Sequence, residues 1–537
     1  MNSLRNPDFE PDKIVEADSM EVEFDSGVSD AAVDDGPLLF PCSIAQERFW
    51  LLDRLEPGNS SLNVAVRWRL LGKVDTALLE KAWLHLINRH EVLRTIFREV
   101  DGKPMQEVLA RSQFRLAEID LTGLPEDARN AEGDRIGVIE ARAPFDLIGG
   151  PLVRATLLRY APDDAVILVT THQIVSDGWS IGVMAREMGV IYQALRAGKP
   201  IPLEDLALQY ADYAQWHLEW TRERGTAAEE AYWSKQLAGL KPFKVPADKP
   251  KPLVPTTNGA ITSIVLPREL TNRAQSVSAD HGATLFAAAF AALTTMLHRY
   301  TGETEIVIGT QVSDRDQVEL EGMIGQFVNS LILRNDLSGN PSFGTLIERL
   351  RDVSAQALEH RHIPIERLLS MVKGERNSAQ SALISVNFIF QRTFIQNDDY
   401  GDFRLVDMPS LPAGAIYDLN FFMVERPDGW RFSCQFNTDQ FERETVDRLL
   451  GYVQTVLDLA TRKPSLRLAE IDLIGADERA RLLPPMAEAA EFVSIGQRFA
   501  AQVARVPDAI AIVGDGRRHT FRQVDFESAR LAHHLLA

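Results

Sequence analysis

Apolar and polar positions alternate with a period of two over residues 64–70, which predicts a strand. Strands are also predicted over residues 153–158 and 165–171, flanking an Ala161-Pro162-Asp163-Asp164 turn. Between the first two, Asp75 precedes Leu79, Ala82, Trp83 and Leu86, the spacing of one helix face behind an aspartate cap. Ser43 is placed to cap a short amphipathic helix. Residues 89–97 run into a further strand, and Asp101-Gly102 reads as a hairpin turn. A helix is expected from about residue 180 to 197, and a charged helical stretch from Tyr210 to Leu237. Five prolines then fall between Lys241 and Gly259, a density that neither helix nor central strand tolerates. Beyond them, strands over 260–266, 305–311, 385–390, 417–424 and 431–436 interleave with helices over 283–300, 343–360 and 444–460. This alternation in both halves predicts an α/β protein of two similar lobes.

The divisions that follow are an N-terminal extension (1–37), a first lobe (38–240), a Pro-rich connector (241–259), a second lobe (260–475), a linker (476–494) and a final fragment (495–537). The extension concentrates charge: residues 1–36 hold eleven Asp and Glu against Arg5 and Lys13. It is expected to be disordered, and a docking role for a partner is the alternative. The whole chain of 537 residues carries a formal charge of −19, so no basic surplus exists for nucleic acid. Cys42 and Cys434 are too few for a zinc site or a disulfide framework, which fits a reducing cytoplasm. No secretory signal or membrane-length apolar run is expected.

Candidate chemistry concentrates where the apolar run Ala165 to Val169 gives way to Thr170-Thr171-His172-Gln173-Ile174-Val175-Ser176-Asp177-Gly178-Trp179-Ser180. A buried strand ending in polar residues delivers side chains to a cleft. This segment resembles the HHxxxDG signature of nonribosomal peptide synthetase condensation domains, with Gln173 in place of the second His. Other segments resemble the same family in order. Residues 43–52 are similar to its SxAQxRLWxL opening, 89–97 to RHExLRTxF, 210–216 to YxDFAVW and 324–334 to GxFVNTxxxR. Residues 362–366 form a weaker version of the PFE element, and Arg376-Asn377-Ser378 is a degraded RxxSRNPLF. From about Ile495 the chain resembles the start of an adenylation domain, without its nucleotide-binding motifs.

The resemblance implies two chloramphenicol-acetyltransferase-like lobes in a V-shaped pseudo-dimer, with a tunnel between them. It implies amide formation between two carrier-bound thioesters. Donor and acceptor carrier proteins and the downstream adenylation domain are the implied partners. Phosphopantetheine is supplied on the carriers, and the domain itself binds no cofactor or metal. Carried over by position, Gln173 takes the reactive place and His172 the supporting one. Asp177 is the pairing acid, with Arg94 as its expected partner. The Gly178 N–H, at a tight turn, is the expected oxyanion donor. Trp179 and Ser180 support the turn, and Asn329 and Ser330 are tunnel candidates. The Ser-Asp-Gly-Trp-Ser wording is similar to the subtype taking L-configured donors, while an N-terminal position suits a starter domain. Gln has no lone pair basic enough to take a proton at neutral pH. A catalytically impaired or silent carrier-binding domain is therefore the alternative. The bland reading of His90, His217, His281 and His298 is packing or exposure.

Overall fold

A computed structural model of the chain describes residues 38–224, 227–254, 256–372, 384–391, 399–411, 413–426, 429–483, 493–514 and 516–537. The acidic extension, Pro255 of the connector, Pro484-Pro485 of the linker and the Arg376-Asn377-Ser378 segment lie outside the described residues.

The first lobe runs β1 (Leu38–Pro41), α1 (Ile44–Leu55), β2 (Asn63–Gly72), α2 (Thr76–Arg89), β3 (Thr95–Val100), β4 (Lys103–Val108), β5 (Leu116–Asp120), α3 (Glu126–Arg142), β6 (Val153–Ala161), β7 (Asp164–His172), α4 (Gly178–Arg196), α5 (Tyr210–Arg224) and α6 (Ala227–Gln236). Its helix starts follow the sequence. Ser43 and Gln46 close a reciprocal capping box on α1, and the Asp75 carboxylate accepts from the Leu78 N–H at 3.0 Å. Leu79, Ala82, Trp83 and Leu86 of α2 are fully buried. Asp101 and Gly102 both take positive φ at the β3–β4 hairpin, as the turn requires.

The second lobe runs β8 (Gly259–Pro267), α7 (Arg268–Asp280), α8 (Leu285–Thr301), β9 (Glu305–Ser313), α9 (Val318–Glu321), β10 (Val328–Asp336), α10 (Phe343–Glu359), α11 (Ile365–Met371), β11 (Val386–Gln391), β12 (Phe403–Asp407), β13 (Leu419–Arg426), β14 (Gly429–Asn437) and α12 (Arg443–Arg462). Then come α13 (Ala476–Leu482), α14 (Ile495–Arg505), a β15 (Ile510–Gly514) and β16 (Arg517–Thr520) hairpin, and α15 (Phe521–Leu536). The second lobe's sheet has the order β10-β9-β11-β13-β14-β8. The apolar helices α8 and α12 pack with it into one large core.

A single cut at the Pro-rich connector does not separate the lobes. The first lobe's sheet has the order β12-β2-β7-β6-β5, so its edge strand comes from beyond the cut. Phe403 pairs opposite Gly72 and Asp407 opposite Trp68. A Cβ on Gly72 would lie 2.1 Å from the Asp402 carbonyl oxygen, and its φ is +135°, so this crossing needs glycine. A second return, through Leu320, Met323, Ile324 and Phe327, buries those four side chains in the first lobe's core. Each such burial is worth roughly 1.5–3 kcal/mol. The second return ends near the C-terminal end of β7, whereas β12 lies against the β2 residues that pair with the start of β7.

Candidate functional site at the end of strand β7

Strand β7 ends at His172, which pairs opposite Asn63 of β2. The side chain is 2% exposed and meets the edge of Phe145, with ring centroids 6.2 Å apart. Its Nδ1 accepts from the Ile174 N–H at 3.1 Å, which puts the ring proton on Nε2. Burial pushes its pKa down to about 3, so the ring is neutral at physiological pH. With its basic lone pair held by the backbone and its charged form disfavoured, His172 cannot take a proton from an attacking amine. The chain leaves the strand through a tight connection: the Gln173 N–H donates to Leu62 O at 2.9 Å, and the Thr171 and Ser176 hydroxyls bond to each other. Gln46 reaches in from α1 to the Ile174 carbonyl at 3.3 Å.

Asp177 caps α4. Its Oδ1 accepts from the Ser180 N–H at 2.8 Å and from the Ser180 hydroxyl at 2.7 Å. Its ionic partner is Arg315, not Arg94. Arg315 Nη2 donates to both carboxylate oxygens, at 3.2 and 3.3 Å, and the Phe327 N–H adds a bond at 3.2 Å. The two side chains are 1% and 3% exposed. Arg94 faces elsewhere, toward Glu91 at 3.0 Å and the Leu109 carbonyl. The expectation failed because Arg94 belongs to a helical turn that closes on its own neighbours. The buried acid is met instead by the second lobe, on the 314–328 return. Arg315 also donates to the Leu320 and Met323 carbonyls at 2.5 and 2.7 Å and lies 3.9 Å over the Phe327 ring. Burial pulls its pKa below the ordinary guanidinium value while Asp177 acts against that pull. Ser180 completes the join: with its proton on the Asp177 side, its hydroxyl oxygen accepts from the Gly325 N–H at 3.1 Å. Trp179 Nε1 donates to Glu321 O at 2.8 Å. Asp177, Ser180 and Trp179 thus lock one lobe to the other.

Gln173 and Gly178 keep part of their surface open: both are half-buried. The Gln173 amide makes no hydrogen bond to another described residue. Gly178 is the first residue of α4, so its N–H has no helical acceptor. The tight-turn reason for this glycine does not hold, because Gly178 is absent from the positive-φ residues. Space is the reason: a Cβ here would lie 2.6 Å from Nε2 of Gln391, the last residue of β11. Arg315 and Gln391 are the two site residues that sequence reasoning missed. Each carried one signal, a polar residue closing a buried apolar strand of the second half, which is the feature that singled out residues 172–178.

The Condensation domain family model matches residues 39–483. The chain belongs to the condensation-domain family. One component of the linear gramicidin synthase of Brevibacillus parabrevis is 36% identical over 92% of this chain, and that alignment spans 10% of the component's own length. The phosphinothricin tripeptide synthetase PhsC of Streptomyces viridochromogenes is 35% identical over 94% of this chain and 47% of its own length. The chain thus spans less than half the length of either relative. Among solved structures, the complex of the X-domain and OxyB from teicoplanin biosynthesis matches with TM-score 0.71 and 27% identity, covering 82% of this chain and 97% of that one. The first condensation domain of the calcium-dependent antibiotic synthetase, bound to a substrate analogue, matches with TM-score 0.72 and 20% identity over 82% of this chain and 100% of that one. The latter supports the α/β fold of two lobes. Condensation domains of peptide synthetases are amide-forming acyltransferases.

In this condensation domain Asn329, expected at the tunnel, makes three hydrogen bonds, two of which clamp the 361–363 segment. Its Nδ2 donates to the Arg361 and Ile363 carbonyls at 2.7 and 2.8 Å, and its Oδ1 accepts from the Ser330 N–H at 2.9 Å. Ser330 is 4% exposed, with its hydroxyl toward Tyr417. Asn329 does border an inter-lobe cleft of about 520 Å³, open mouth included, with Arg48, Tyr213, His217, Asp314 and His362. Burial raises the Asp314 pKa to about 7, with Arg361 opposing the rise, and lowers that of His217 to about 4. Gln173 and Gly178 do not line this cleft. No cluster of His, Cys, Asp or Glu among the described residues could hold a metal.

Proposed function

We propose that this condensation domain joins a carrier-bound acceptor amine to a carrier-bound donor thioester at Gln173, with no general base from the motif. The amine attacks the thioester carbonyl, the C–N bond forms, the C–S bond breaks, and the amine's proton ends on the donor thiol. The observation that carries this reading is that the whole scaffold of the motif is kept. Asp177 is held by Ser180, Arg315 and Phe327, while only position 173 departs. Gln173 orients the amine by hydrogen bonding, and holding both reactants in near-attack geometry supplies rate without a base. Donor and acceptor carriers bring the substrates on phosphopantetheine arms, and the domain itself holds no cofactor or metal. His172 and Asp177 build the site, and the Gly178 N–H faces the developing oxyanion.

The alternative is a silent recruitment domain. Gln173 favours it, and so does the likeness to the teicoplanin X-domain, which was solved as a complex with OxyB. The deciding experiment is a mass-spectrometric coupling assay with loaded carriers, comparing the native chain with Gln173→His. Coupling by the native chain supports the first reading. Carrier binding without coupling, restored by Gln173→His, establishes the second.

The final fragment, residues 495–537, is the start of an adenylation domain. In support, the alignments to relatives cover 92–94% of the chain, more than the condensation match alone. Cytoplasmic residence accords with two free, buried cysteines, and no described helix is long and apolar enough to cross a membrane.

A further inference from the structure

The position of Gln391 rests on a close approach between lobes. Its carboxamide nitrogen occupies the space where any other residue at 178 would carry a Cβ, 2.6 Å from that point, and its Cδ and Oε1 lie at 3.7 and 4.0 Å. The nitrogen end is therefore the one turned toward the start of α4. This amide makes no hydrogen bond to a described residue, and its side chain is only half-buried. The backbone beneath it is fixed, since β11 is an interior strand paired parallel to both β9 and β13. The first N–H of α4 lies at Gly178, and the Asp177 cap leaves it unused because its carboxylate is taken by Ser180, Arg315 and the Phe327 N–H. Two donors from different lobes, one backbone and one side chain, thus meet at the start of α4.

We propose that Gln391 is a catalytic donor: its Nε2–H and the Gly178 N–H together bind the oxyanion of the tetrahedral adduct. The inference rests on the coupling reading above. In the step concerned, the amine nitrogen bonds to the thioester carbon and the carbonyl π pair moves to oxygen, where the two donors receive it. The adduct collapses with loss of the donor thiolate, which takes the proton shed by nitrogen. Donors fixed before the reaction favour the charged adduct over the neutral thioester, so their effect falls on kcat rather than KM. Gln is suited to this and Glu is not, because a carboxylate offers only acceptors.

The test uses the full chain and two pantetheine-linked probes, a phosphonamidate that mimics the anionic adduct and the corresponding neutral amide, with affinities read by calorimetry. The native protein should prefer the phosphonamidate. Gln391→Ala should weaken the phosphonamidate ~10–100-fold and the amide by less than about twofold, and should lower single-turnover coupling ~10²-fold with KM little changed. Gln391→Glu, close in size, should be at least as impaired as Gln391→Ala. Equal loss for both probes, or near-native behaviour of Gln391→Glu, assigns Gln391 to packing and overturns the inference. A native protein with no preference for the phosphonamidate overturns the coupling reading and the inference together. A preference that survives Gln391→Ala overturns the inference alone.

Discussion

Replacing Arg315 by Met is the sharpest perturbation of the inter-lobe join. Met approximates the length of the side chain and removes its charge and donors. Asp177, 1% exposed, would keep three donors: the Ser180 N–H, the Ser180 hydroxyl and the Phe327 N–H. The Leu320 and Met323 carbonyls would lose charged donors at 2.5 and 2.7 Å. Breaking one side of a buried pair costs ~3–5 kcal/mol, and the three remaining donors place Asp177 toward the lower end. The two stripped carbonyls restore part of the difference, so a loss of about 4 kcal/mol is expected. Urea unfolding of Arg315→Met, Asp177→Asn and the double variant forms a cycle that isolates the pair, with an expected coupling of about 2–3 kcal/mol. Arg94→Met serves as the contrast and should change stability by less than about 1 kcal/mol, since its pair with Glu91 is partly solvated. Hydrogen exchange over residues 318–328 should accelerate in Arg315→Met and not in Arg94→Met. A coupling below about 0.5 kcal/mol, or a larger loss from Arg94→Met, refutes the assignment of Arg315 as the partner that fixes Asp177.

Gln173→His, by adding a base at the reacting end, should raise coupling by up to ~10²–10⁴-fold and give a rate that falls as the new imidazole protonates on acidification. An unchanged rate would mean that position 173 only orients the amine. His172, whose folded pKa of about 3 lies below its unfolded value near 6.5, should erode stability as pH falls from about 6.5 toward 3. Between pH 7.5 and 5.5 its share of the loss is about 1.4 kcal/mol, and urea unfolding of His172→Asn should lack that share. Asp314 has the opposite sign. Its folded pKa of about 7 lies above the ordinary value of 3.8, so stability should fall as pH rises from about 4 to 7. Asp314→Asn should therefore gain about 4 kcal/mol over native at pH 8 and almost nothing at pH 4, measured in the same way.

The strands and helices read most easily were those whose burial is one-sided and apolar. Helix α2 was legible because Leu79, Ala82, Trp83 and Leu86 are large and correctly spaced. Helix α3 was not, although it is longer. Its buried face is Gly133, Gly137 and Ala141, and a Cβ on Gly133 would sit 1.8 Å from the Tyr160 hydroxyl. A helix packed through missing side chains leaves no apolar stripe to find. Strand β12 was missed for another reason. Its five residues, Phe-Arg-Leu-Val-Asp, carry little periodicity, and it is fixed by pairing with β2, some three hundred residues earlier in the chain.

The same division runs through the site. Its first-lobe half is contiguous, a strand end, a turn and a capped helix within residues 170–180, so local pattern and the family resemblance both expose it. The second-lobe half is assembled by topology. Arg315 follows β9 and Gln391 ends β11, and the parallel pairing of those two strands puts both C-terminal ends on one side of the sheet. That side faces the start of α4 because the Leu320–Phe327 return is buried in the first lobe. Each residue carries only the weak local signal of a polar side chain at the end of a strand, and its partner comes into view only when the lobes meet. Arg94 was the natural sequence choice for Asp177 because it lies in the same half, and it was wrong because the acid's role is to join halves. The choice of Gly at 178 has the same origin. What the motif looked like from one strand, a turn requirement, is set from the other lobe by the Gln391 amide that fills its Cβ space.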